Sequence, residues 1–127
     1  MPQPLRPGVL IVEDEEELLS LVVRVFESES FRIFRAKNGL DAVDLFSKNQ
    51  EGIDLVISDL GLPGMSGPDL ITAIRAMKPS VKIISVSGYG SGNVRSLAKK
   101  AGADMFCEKP FVMSEFLKSV RKLLDTP

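Results

Sequence analysis

Five short apolar runs, each followed by a stretch of helical periodicity, constrain this chain more than any other feature. Val9-Leu10-Ile11-Val12 leads into Glu15 to Ser28, where Leu18, Val22, Val25 and Phe26 share a helical face. Phe31 to Arg35 partly alternates apolar with basic residues, as a half-covered edge strand does, and Asn38-Gly39 turns the chain into a helix around Ala42, Val43 and Phe46. Ile53 to Ser58 is a third strand, before a helix with Pro68 in its first turn and Leu70, Ala73, Ile74 and Met77 on one side. Val81 to Val86 precedes a Gly-rich turn and a helix with Val94, Leu97, Ala98 and Ala101 in register. Met105 to Cys107 precedes a last helix carrying Phe116, Leu117, Val120 and Leu124. Such alternation with short loops predicts a doubly wound α/β fold, a parallel sheet covered on both faces through right-handed crossovers.

The length of 127 residues suits one domain, and neither a low-complexity linker nor a second boundary interrupts the pattern. Residues 1–7, rich in Pro, read as a flexible tail, and residues 8–127 as the folded unit. With 44% apolar residues and a net charge of -1, the composition gives no nucleic-acid signal, and no apolar stretch is long enough for a signal peptide or membrane span. Cytoplasm is the default location. One cysteine, Cys107, excludes an internal disulfide and reads as a small buried hydrophobe. The absence of histidine excludes a Cys-His pair and leaves any metal to oxygen ligands.

In a parallel sheet the carboxyl ends of the strands lie along one edge, where open α/β sheets hold their ligands. The polar residues falling there are Glu13-Asp14, Asp59, Ser87 and Lys109. Gathered carboxylates repel, and three acids against one lysine predict a divalent cation. All-oxygen ligation fits Mg²⁺. A metal beside a carboxylate nucleophile, a hydroxyl and an ammonium is a set suited to phosphoryl transfer.

Glu13-Asp14, Asp59 with Leu62-Pro63-Gly64, Ser87-Gly88 and Lys109-Pro110-Phe111, in this order, resemble the receiver domain of two-component response regulators from about Val9 to the end. The resemblance implies a flavodoxin-like sheet of order 2-1-3-4-5. It implies that Asp59 takes the phosphoryl group of a phosphohistidine on a histidine kinase or histidine phosphotransfer protein, with catalysis supplied by the receiver itself. Mg²⁺ (or Mn²⁺) then sits on Asp14, Asp59 and the Gly61 carbonyl, with Glu13 helping directly or through water. Lys109 and Ser87 meet phosphoryl oxygens, the Leu60 and Gly88 N–H groups complete the cradle, and the Lys109-Pro110 bond is open to a cis form. Ser87 and Phe106 become the switch that remodels helix four, strand five and helix five, a face that also offers weak dimerisation. Gly61 and Tyr89, flanking Asp59, are expected to set phosphoryl lifetime.

Other readings stand beside this one. Glu15 to Glu17 are accounted for by the helix dipole alone, and Phe106 by packing alone. A pseudo-receiver that only binds partners is an alternative. A flavodoxin conflicts with Glu13 to Glu17, which repel a phosphate, and an aspartate-dependent phosphatase wants an acid where Gly61 stands. Cognate kinase, stimulus and output are not encoded in readable form.

Overall fold

The computed structural model describes residues 6–62, 64–88 and 92–126. The chain runs β1 (Gly8–Val12), α1 (Glu16–Ser28), β2 (Arg32–Ala36), α2 (Gly39–Lys48), a short 3-10 turn (Gln50–Gly52), β3 (Leu55–Asp59), α3 (Gly67–Met77), β4 (Lys82–Ser87), α4 (Gly92–Ala101), β5 (Met105–Glu108) and α5 (Met113–Leu124). All four strand pairings are parallel and the order is β2-β1-β3-β4-β5, the flavodoxin-like arrangement. Crossover helices cover both faces, so β1 and β3 are buried along their whole length and read as unbroken apolar runs.

The two faces carry separate cores. On one side Leu10, Val12, Val56 and Ile83 meet Ala42 and Phe46 of α2, Leu70, Ile71 and Ile74 of α3, and Ala98 of α4. On the other, Val9, Ile11, Leu55, Ile57, Ile84 and Val86 meet Leu19, Val22, Val23 and Phe26 of α1 and Phe116 and Val120 of α5. Phe26 organises this second core, edge-on to Phe31 at 4.9 Å and to Phe116 at 6.3 Å.

Local chemistry sets the element ends. Asn38 accepts from the Asp41 N–H at 2.8 Å, and Ser66 accepts from the Asp69 N–H at 3.2 Å with Pro68 in the first turn of α3. Gly67 is buried there: a Cβ would lie 2.8 Å from the Leu60 Cα, so only glycine lets α3 start this close to the end of β3.

Two helical faces differ from expectation. In α1 the buried stripe is Leu19, Val22, Val23 and Phe26, while Leu18 and Val25 are half-buried flanks. In α4, Val94, Ala98 and Ala101 turn toward the sheet, and Leu97, off that stripe, is 52% exposed. Where neighbouring positions are apolar, the tilt of the helix on the sheet chooses between stripes, and sequence spacing carries no record of it. Strand three starts at Leu55, two residues after Ile53. Asp54 just before it still bonds both neighbours through its backbone, its N–H on the Gly8 carbonyl at 2.8 Å and its carbonyl on the Lys82 N–H at 3.1 Å, and its carboxylate accepts the Gly8 N–H at 3.0 Å.

Candidate functional site

At the carboxyl end of β1, the Glu13 N–H continues the ladder to the Ala36 carbonyl at 3.0 Å. The side chain folds inward, Oε2 accepting from the Glu15 N–H at 3.1 Å and Oε1 from Lys109 Nζ at 2.7 Å. Lys109 Nζ also donates to Asp59 Oδ2 at 3.1 Å, while Asp59 Oδ1 accepts from the Gly61 N–H at 2.9 Å. Lys109 thus bridges the ends of β1 and β3 from its place after β5, held by its own N–H on the Ser87 carbonyl at 2.7 Å. Glu13 and Asp59 are buried, Asp14 is exposed, and one ligand oxygen from each of the three lies within 4.8 Å of the others.

Burial pushes Glu13 from 4.5 up to about 7, against hydrogen bonds from Lys109 and the Glu15 N–H, with the Asp59 charge adding to the rise. Burial pulls Lys109 down, but its bonds to Glu13 and Asp59 outweigh that and hold the ammonium above its ordinary range. One ammonium does not balance three carboxylates, and Glu13, Asp14 and Asp59 are the residues that could hold a cation with hard oxygen ligands on the exposed Asp14 side.

Of the residues singled out in the sequence, Glu13, Asp14, Asp59 and Lys109 come together, and Ser87, buried at the end of β4, sits beside them through the backbone bond to Lys109. The Lys109-Pro110 bond is cis. Gly61 is exposed, and a Cβ there would stand 3.6 Å from Asp59 Oδ1, so any side chain at this position would overhang the carboxylate. Gly88 follows β4, with open space where a Cβ would go. Tyr89 and Pro63 lie outside the described residues. Leu60 departs from its expected place in the cradle: its N–H donates to the Val86 carbonyl at 2.8 Å, extending the β3–β4 ladder one residue past the strand. The amide aimed at Asp59 is that of Gly61, overlooked in the sequence although Asp-x-Gly signals an Asp side chain bonding the N–H two residues on.

Phe106 is half-buried on β5 with the Arg95 guanidinium 4.9 Å from its ring centroid. A cavity of about 230 Å³ opens beside the pair, lined by Ser85, Ala103, Asp104, Met105 and Lys99. Nothing in the spacing of α4 signals that Arg95 reaches β5. An apolar groove formed by Leu18, Leu21, Pro110, Phe111 and Met113 borders Lys109.

A 2-1-3-4-5 parallel sheet with acids after its first and third strands and a lysine after its last defines a doubly wound α/β domain with a cation-ready site at the strand ends. The family model described as the response regulator receiver domain matches residues 9–121. The chain belongs to this family, the receivers of two-component signalling. Sporulation initiation phosphotransferase F of Bacillus subtilis is 32% identical over 116 residues, covering 91% of this chain and 92% of that protein. Sensor kinase CckA of Brucella abortus is 32% identical over 92% of this chain, which spans only 12% of the kinase. The signal receiver domain of an HD domain-containing protein from Pseudomonas fluorescens superposes with a TM-score of 0.90 at 26% identity, covering 98% of this chain and 91% of that one. No helix among the described residues is long and apolar enough to cross a membrane.

Proposed function

We propose that residues 8–127 form one receiver unit in which Asp59 accepts a phosphoryl group from a phosphohistidine of a histidine kinase or histidine phosphotransfer protein. An Asp59 carboxylate oxygen attacks phosphorus in line, the phosphorus–nitrogen bond to the donor imidazole breaks, and the electron pair leaves on that nitrogen. The observation that carries this is the approach of Glu13, Asp14 and Asp59 to within 4.8 Å, with Lys109 already on two of them.

Asp14, Asp59 and the Gly61 carbonyl are the ligands for Mg²⁺ (or Mn²⁺), and Glu13 contributes directly or through water. When bound, the ion supplies neutralisation of the phosphoryl oxygens. Lys109 moves from its carboxylates to a phosphoryl oxygen, an ammonium donor already in place. Ser87 donates its hydroxyl to another, and the Gly88 N–H a third contact. The Gly61 N–H on Asp59 Oδ1 leaves Oδ2, now held by Lys109, as the oxygen that attacks. The groove at Leu18, Leu21, Phe111 and Met113 offers the donor an apolar seat beside Lys109.

Modification adds a near-dianion that draws Ser87 inward, and Phe106 turns into the space behind it, changing the face of α4, β5 and α5 that an output partner or a second copy reads. The reading puts the domain in the cytoplasm. Gly61 and Tyr89 set the lifetime of the adduct: Gly61→Asn, which overhangs Asp59, and Tyr89→Ala are expected to change the decay rate, and unchanged decay in both removes them from this role.

The test is incubation with acetyl phosphate, in Mg²⁺ or in EDTA, read by intact mass beside an Asp59→Asn control. A Mg²⁺-dependent phosphoryl adduct on the wild type alone is the expected result. No adduct in the presence of demonstrated Mg²⁺ binding would turn the reading to a pseudo-receiver that binds partners unmodified.

A further inference from the structure

The Phe106 side chain has no hydroxyl with which to fix its rotamer, and among the described residues it stacks on no other aromatic ring. Among the described residues its directional contact is with Arg95 of α4, 4.9 Å from the centroid, within the range where a guanidinium is drawn to the negative face of a ring. Arg95 forms no ion pair among the described residues. The acid lining the same cavity, Asp104, is already engaged: its Oδ2 takes Arg75 Nη2 at 2.8 Å and the Ile83 N–H at 2.8 Å. The cavity of about 230 Å³ beside the ring is lined by the fully buried Ser85 and by Ala103, Met105 and Lys99, so the ring has open space next to it on this face.

We propose that Arg95 is the positioning residue of the switch, a cation latch that holds the Phe106 ring against α4 and sets how readily the ring leaves it for the space beside Ser87. This rests on the reading of Phe106 as the moving group. Where a tyrosine hydroxyl would anchor the ring from its tip, this chain anchors it from its face. Inward movement of the ring releases Arg95, which joins Lys99 on the exposed side of α4 as a second cation available to whatever docks there.

An exposed cation–ring contact of this kind is worth a shift of about 2- to 5-fold in the outward-to-inward ratio. The chain is labelled with 4-fluorophenylalanine, and Phe106→Leu assigns the Phe106 signal among the seven phenylalanines. Acetyl phosphate with Mg²⁺, with the adduct verified by mass, fixes the resonance of the phosphorylated state. Arg95→Leu is expected to move the unmodified signal toward that position, Arg95→Lys less far because an ammonium still binds the face, and Lys99→Leu not at all. If phosphorylation moves the wild-type signal and Arg95→Leu does not, the latch is overturned and Phe106 keeps its switching role. An adduct that leaves Phe106 unmoved, or no adduct, overturns that role and the latch with it.

Discussion

Glu13 is the residue on which charge and stability meet. Its carboxyl is pushed from 4.5 to about 7 by burial, so between those values the folded chain holds a proton that the unfolded chain has released. Its contribution to stability is therefore complete below the lower value and is lost as pH rises through the upper one. Glu13→Gln cannot titrate. In EDTA, the stability of the wild type relative to this variant should fall between about pH 5 and about pH 8, as measured by urea unfolding. A difference that stays flat across that range would contradict the assignment. A cation competes with the same proton, so apparent Mg²⁺ affinity should rise over the same interval. The convergence of Glu13, Asp14, Asp59 and Lys109 was legible because each falls within two residues of the end of an apolar run. The contact of Arg95 with Phe106 was not, because it depends on how α4 is rotated over β5, which no local pattern records.

Among the elements, α3 is fitted most closely to the site. Gly67 lets its first turn pack on Leu60, the residue after Asp59, and a Cβ would sit 2.6 Å from Leu60 Cδ2 and 2.8 Å from Leu60 Cα. The side-chain atom can give way, but the backbone atom is tied by its N–H to Val86. Gly67→Ala is expected to cost about 1–3 kcal/mol in urea unfolding, despite the better helix propensity of alanine, and to slow adduct formation by displacing Asp59. Normal stability together with a normal phosphorylation rate would show that the contact relaxes freely. Strand positions were clear from apolar runs of β-branched residues, since both sheet faces are covered. The limits of β3 were less so, because Ile53 and Asp54 look like strand residues and the Asp54 backbone still bonds Gly8 and Lys82, although the strand proper begins at Leu55. The amide of Leu60 was misplaced for a related reason: the ladder runs one residue beyond the strand.

Across the whole molecule, chemistry and reinforcement occupy opposite ends of the sheet. The acids, Ser87 and Lys109 lie at the carboxyl edge. At the amino edge of β4 and β5, Arg75 of α3 donates from Nη1 to the carbonyls of Pro79, at 2.9 Å, and Val81, and from Nη2 to the Gly102 carbonyl and the Asp104 carboxylate. One half-buried side chain thus joins α3, the start of β4, the end of α4 and the start of β5. Arg75→Gln is expected to lower stability by about 1–3 kcal/mol while leaving the yield of Mg²⁺-dependent adduct unchanged, read by urea unfolding and intact mass on the same samples. Loss of adduct in a chain that remains folded would show that the two edges are coupled.

The bridge from Lys109 to Glu13 joins residues 96 positions apart, from the stretches that follow β1 and β5. β5 is an edge strand of the sheet and the last of its five strands in chain order. The acids are therefore made well before the lysine, and the bridge that ties Lys109 to Glu13 and Asp59 can form only once β5 has docked beside β4. On the proposed reading, competence to accept a phosphoryl group is thereby tied to completion of the sheet.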